Sequence, residues 1–164
     1  MAMSLADIKR EVYRLLGIVT MWRLYEESIK ALGTDLSPQD EVPDEVACAS
    51  SLSRLIQRAA PHLNFPHLVS TRQLFDYFEQ SPSFKPVQKP QYGDIVLSVT
   101  GTGSGRIKNG HCGIRGKFQA WDSSPWIMSN DSRNGLWTVN FTLNTWIQYY
   151  ETRGGMKTFY YTMS

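Results

Sequence analysis

Few residues in this chain could carry covalent chemistry, and they stand far apart: a cysteine at 48, a histidine at 111, and two polar candidates beyond it, Asn130 and Asp122. A thiol becomes a nucleophile when a base lies within hydrogen-bond reach and a third polar group holds that base in one tautomer. Cys48 opens a stretch of helical periodicity, with Leu52, Leu55, Ile56 and Ala59 on its face. That spacing predicts a helix from Asp44 or Glu45 to about Ala60, with Cys48 in the first turn on the buried side. Free amide N–H groups and the positive end of the helix dipole lower a thiol pKa there. His111 lies in Gly110-His111-Cys112-Gly113-Ile114, which reads as a short strand. Alternation puts His111, Gly113 and Arg115 on one face and Cys112 and Ile114 on the other, so His111 and Cys112 are not expected to serve one site. Gly113 reads as open space on the histidine's face, where a substrate chain passes close to the sheet.

Asn130 is the preferred third group, because the next antiparallel strand can set a polar tip beside the imidazole, and Asp122 is the alternative. Asp122 sits in Trp121-Asp122-Ser123-Ser124-Pro125, a composition that makes turns without any catalytic need. The two cysteines are too few for a disulfide framework, and a Cys48–Cys112 bridge stays open. No cofactor is expected. The glycine run at 101–105 lacks the Lys-Ser/Thr that completes a phosphate loop. His62 and His67, beside Pro61 and Pro66, read as loop or cap residues, and no Cys/His spacing suggests a metal site.

The elements that must position these residues fall in two blocks. Ser4 and Asp7 have capping-box spacing, and Ile8, Val12, Leu15, Val19 and Trp22 follow as the stripe of a long amphipathic helix. That stripe reads as core, with a dimer face as the other use of such a helix. Gly17 is a candidate kink and Gly33 a candidate C-cap. After a Pro-rich, acidic loop and the cysteine helix, Ser70-Thr71-Arg72-Gln73 opens a short helix with Leu74, Phe75 and Phe78 inward. Prolines 82, 86 and 90 predict irregular chain up to Gly93. From Asp94 the period becomes that of strands: a central one at 94–99, the histidine strand, Trp126–Asn130 and Leu136–Phe141. Thr142 caps a short helix, and Lys157–Thr162 closes the sheet. Helices first and an antiparallel sheet after them make an α+β domain.

With 164 residues the chain fits one domain, an N-terminal helical extension over 1–33 and a core over 43–162. A net charge of +2 without a Lys/Arg block excludes a nucleic-acid surface, and no apolar run is long enough to span a bilayer. The charges at Asp7, Lys9, Arg10, Glu11 and Arg14 interrupt any signal-peptide core, so synthesis in a cytoplasm without a signal peptide is expected. Four of the tryptophans, Trp121, Trp126, Trp137 and Trp146, lie beyond the histidine; most read as core, with some free to line a groove.

In order and type, Val46-Ala47-Cys48-Ala49-Ser50, Gly93-Asp94-Ile95-Val96, Gly110-His111-Cys112-Gly113-Ile114 and Ile127-Met128-Ser129-Asn130 resemble the papain-like cell-wall hydrolases of the NlpC and CHAP type. The resemblance covers about Pro43 to Thr162. It departs from the NlpC branch at Ala49-Ser50, where Ser-Gly is usual, and at Asn130, where histidine is common. It implies a cysteine helix packed on a small antiparallel sheet and cleavage of amide bonds in the peptidoglycan stem peptide or at its junction with the sugar. Cys48 would attack, His111 would move the proton, and a thioester would be hydrolysed by water, with the oxyanion held partly by the Cys48 N–H. A phage lysin or a delivered effector acting at the bacterial wall fits this pattern. A cysteine-dependent acyltransferase, or an inactive wall- or protein-binding domain of the same fold, is the alternative.

Overall fold

A computed structural model describes residues 2–37, 46–117 and 124–164, without the side chains at 13, 14, 16–19 and 21. Helix α1 spans Leu5–Lys30, capped at Ser4 by a box in which Ser4 and Asp7 each bond the other's backbone. It runs unbroken through position 17, so Gly17 does not split it. Gly33 takes a left-handed φ of 80° just past the helix, where a side chain would be strained, and donates its N–H to the Trp137 carbonyl.

The apolar stripe expected to face the core does not. Ile8, Val12, Leu15 and Trp22 are exposed, and the face that packs on the domain carries Leu24, Tyr25, Ser28 and Ala31. The cause is the helix's length: only its C-terminal part reaches α2 (Cys48–Ala59) and the shared core.

Helix α2 is buried almost all round. Leu52, Leu55 and Ile56 are fully buried, each contributing about 1.5–3 kcal/mol by removal of apolar surface from water. Its buried serines are each bonded: Ser50 to Ser37 and His67, Ser51 to Asn130, Ser53 to the Leu68 carbonyl. Helix α3 (Thr71–Gln80) is capped by Ser70, which accepts from the Gln73 N–H, and it buries Leu74 and Phe78.

Six strands form one antiparallel sheet: β1 (Phe84–Val87), β2 (Ile95–Ser98), β3 (His111–Arg115), β4 (Trp126–Asn130), β5 (Trp137–Thr142) and β6 (Thr158–Met163), in the spatial order β1-β6-β2-β3-β4-β5. Two elements differ from expectation. Pro86 does not prevent a strand, because β1 is the sheet edge and its missing N–H removes no ladder partner. The last strand does not close an edge but inserts between β1 and β2. Asp94 anchors that insertion. Fully buried at the head of β2, its carboxylate accepts from the Gln91 N–H and the Thr162 hydroxyl, while burial pushes its pKa up.

The sheet has two unlike faces. One carries Ile95, Leu97, Cys112, Ile114 and Met128 against the helices α1–α3. The other carries Val96 and Ile127 under helix α4 (Leu143–Trp146), which Thr142 caps and which continues as a π-helix over Ile147–Arg153. Among the described residues no helix is long and apolar enough to cross a membrane.

Candidate active site

Cys48 is the first residue of α2, and its N-cap, Ala47, offers no side-chain cap. The leading amides of the helix are therefore available to a charge on the sulfur. His111 is the first residue of β3, so both stand at the same end of the helix–sheet contact. The Cys48 thiol is held well below its ordinary pKa. Its largest cause is a hydrogen bond from Cys112; a bond and charge from the His111 imidazole and the Ala49 N–H add to it against the opposing cost of burial. Cys112 shifts the other way, pushed up by burial and by the charge it faces on Cys48, so it remains a thiol and donates. Both cysteines are free.

This corrects the expectation that His111 and Cys112 cannot meet at one site. The alternation holds, since His111 stacks on Trp146 at 5.3 Å while Cys112 lies in the helix-side core. What the pattern could not convey is that the sulfur of α2 stands at the strand's end, within reach of residues from both faces.

The imidazole is fixed from behind. Its Nε2 lies 2.9 Å from the Ser129 hydroxyl, which donates its own proton to Asn140 Oδ1 at 2.5 Å. Having given that proton away, the hydroxyl can only accept from the ring, so Nε2 carries the hydrogen and Nδ1 is the basic nitrogen left for the thiol. Phe141, Trp146 and Tyr150 surround the ring with centroids at 5.8, 5.3 and 5.9 Å.

Sequence reasoning set Asn130 beside the ring; Ser129 stands there instead. Pairing of Gly113 with Ser129 puts Ser129 on the histidine's face of the sheet. Asn130 belongs to the Met128 face and lines the cleft from there, accepting from the Ser51 hydroxyl at 3.5 Å. Asp122 lies outside the described residues.

Alternation does put Asn140 on the histidine's face, two residues beyond Thr138, which pairs with Ser129; what counting misses is Phe141. A bulge in β5 pairs Ile127 with Phe141 and Met128 with Val139, leaving Asn140 as the extra residue. The bulge lets two consecutive residues serve one face, Asn140 toward Ser129 and Phe141 toward the ring. Gly113 also departs from expectation. A Cβ there would meet the Met128 carbonyl oxygen at 2.6 Å and Ile127 Cγ2 at 2.8 Å, so the glycine admits β4 rather than a substrate.

A cleft of about 970 Å³ opens over the pair, lined by Val46, Cys48, His111, Asn130, Asn140 and Tyr150 among others. Its aromatic wall is Phe141, Tyr149 and Tyr150. Among the described residues no tryptophan lines it: Trp137 and Trp146 are core, and Trp126 is half-buried elsewhere. Burial and the nearby Cys48 push the Tyr150 phenol up, so it stays a neutral donor. The rim carries Arg72, Arg106, Lys108 and Arg133 against one carboxylate, Asp131. Asp131 is already paired with Arg133 at 2.7 Å, and that bond holds its pKa below the usual range. The rim loop is tied down: Thr71 of α3 donates to the Thr100 hydroxyl at 3.0 Å, and that hydroxyl accepts from the Gly110 N–H at 2.8 Å, next to His111.

Comparison with protein-family models, with curated proteins and with solved structures finds no match to this chain.

Proposed function

We propose that the protein is a papain-like cysteine hydrolase that cleaves an amide bond in bacterial peptidoglycan, with Cys48 as nucleophile and His111 as base. The observation that carries this reading is the thiol at the head of α2, its pKa lowered, beside an imidazole whose far nitrogen is engaged by Ser129 and whose near nitrogen is free to take a proton. The Cys48 sulfur attacks the amide carbonyl, and the oxyanion that forms is met by the Cys48 N–H and the adjoining uncapped turn of α2. The His111 imidazolium gives its Nδ1 proton to the leaving amine. Water then attacks the thioester as Nδ1 takes its proton, the C–S bond breaks with Cys48 leaving as thiolate, and the carboxylic acid is released. Ser129 and Asn140 hold the ring in the tautomer this sequence needs, a role the resemblance would have given to Asn130.

The cleft supports a peptide substrate with carboxylates. Arg72, Arg106 and Lys108 make no ion pair among the described residues, and they face the cleft without a competing acid. Peptide stems of the wall carry free carboxylates, and the apolar and phenolic wall suits their aliphatic side chains.

Digestion of purified sacculi tests the assignment. The wild-type chain is expected to release soluble fragments, and Cys48→Ala, with an unchanged circular dichroism spectrum, to release none above background, a loss on the order of 10³-fold or more. Mass spectrometry of the fragments separates new peptide N-termini from free lactyl ends. Full activity in Cys48→Ala would end the nucleophile assignment, and transfer of the acyl group to an added amine in place of water would reassign the chemistry to acyl transfer.

A further inference from the structure

Large apolar side chains line the outer side of α1: Leu5, Ile8, Val12, Leu15, Trp22 and Ile29 are 42–68% exposed. With Val19, whose place is known from the sequence, they occupy the a and d positions of consecutive heptads from 5 to 29, interrupted by Glu26 alone. A helix that packs on its own domain shows a 3.6 period and a wider stripe. A seam at 3.5 suits one long partner helix in a left-handed supercoil. Among the described residues the domain does not supply that partner. Its own contacts use a different side of the helix, at Leu24, Tyr25, Ser28 and Ala31, and residues 2–10 are exposed throughout.

We infer that α1 is a dimerisation helix whose seam pairs with the same seam of a second copy of this chain in an antiparallel two-stranded coiled coil. A seam of this kind is self-complementary, as a two-fold interface requires. In the antiparallel register Leu5 faces Ile29, Ile8 faces Glu26, and Val12 faces Trp22, so that the bulkiest residue meets the smallest. A parallel pair would instead set the two Glu26 carboxylates against each other at one a position. The antiparallel pair places each beside the partner copy's Lys9. At the usual size of these side chains their exposed parts amount to roughly 550 Å² per helix, and the roughly 1,100 Å² of a pair clears the ~1,000 Å² expected of a specific interface. The proposal is independent of the chemistry assigned to the cleft, which none of these residues lines.

Sedimentation equilibrium of the full chain between about 1 and 100 µM tests it. The expected mass at the upper end is twice 18.7 kDa. Val12→Glu combined with Leu15→Glu should sediment as a monomer throughout, with unchanged melting of the sheet and unchanged release of wall fragments. Glu26→Leu should tighten the dimer at least tenfold, because it removes the seam's one polar interruption. A wild-type chain that stays monomeric at 100 µM overturns the proposal. So does a dimer that survives the double substitution, or a monomer that instead pellets with anionic lipid vesicles.

Discussion

The two faces of the β3–β4 ladder differ by one residue of register and serve the cleft in different ways. On the face under α4, His111, Ser129 and Asn140 form a directed chain of donors walled by Phe141, Trp146 and Tyr150. On the face under α2, Cys112 sits in the apolar core and bonds Cys48 at the cleft's end, while Asn130 lines the cleft and accepts from Ser51. The first face sets which ring nitrogen is basic; the second sets how readily the sulfur ionises. Because side chains alternate strictly along a strand, Ser129 and Asn130 cannot exchange these duties, although they are neighbours in the chain.

The sharpest way to break this comparison is to remove each neighbour in turn. Ser129→Ala takes away the acceptor on Nε2, frees the ring to adopt the other tautomer, and is expected to lower kcat by about 10- to 100-fold with little change in KM. Asn130→Ala, on the other face, should cost less than about threefold. Steady-state kinetics on a soluble stem-peptide substrate decides between them, and a larger loss from Asn130→Ala would return the orienting role to that residue.

Gly113 tests whether the faces must lie as close as they do. An alanine there drives its Cβ against the Met128 carbonyl oxygen, which belongs to backbone and cannot rotate away. The strands must part, at a cost of about 1–3 kcal/mol. The melting temperature should fall by about 2–4 °C for each kcal/mol lost. The same separation lengthens the His111–Ser129 bond, so activity should fall with stability. An alanine variant as stable as wild type would mean that the strand spacing is slack.

Element types were largely legible in the residues. The helix that starts near Cys48, the strands at 95–98, 111–115 and 126–130, and the Thr142 cap all follow from period and capping residues. The α+β class follows from their order. What sequence could not show is where one element meets another. The bulge at Asn140 has no local signature, and without it Phe141, which walls the histidine, is read onto the wrong face. The α1 stripe was visible but its environment was not. Periodicity reports that a face is apolar, not that the chain covers it, and here the domain turns a different side of the helix inward. The edge position of β1, which makes Pro86 harmless, is likewise a property of the assembled sheet.

The smallest effect tests the helix-side face alone. The Cys112 thiol, kept protonated by burial, donates to Cys48 and is the largest cause of its lowered pKa. Removing the donor in Cys112→Ala must raise the Cys48 pKa. A larger share of the thiol is then un-ionised on the acid side, and for the proposed hydrolase the acidic limb of kcat/KM against pH moves upward. One lost hydrogen bond to a charge corresponds to about one pH unit. Well above that limb the variant and the wild-type chain should turn over the proposed substrate alike, because the alanine touches neither the imidazole nor Ser129. Cys112→Ser keeps a donor at the same place and should hold the limb near its wild-type position. A general packing defect would lower the plateau in both variants, whereas loss of the donor shifts one limb in the alanine variant only. An unmoved limb in Cys112→Ala would leave His111 and the helix amides as the groups that ionise the thiol.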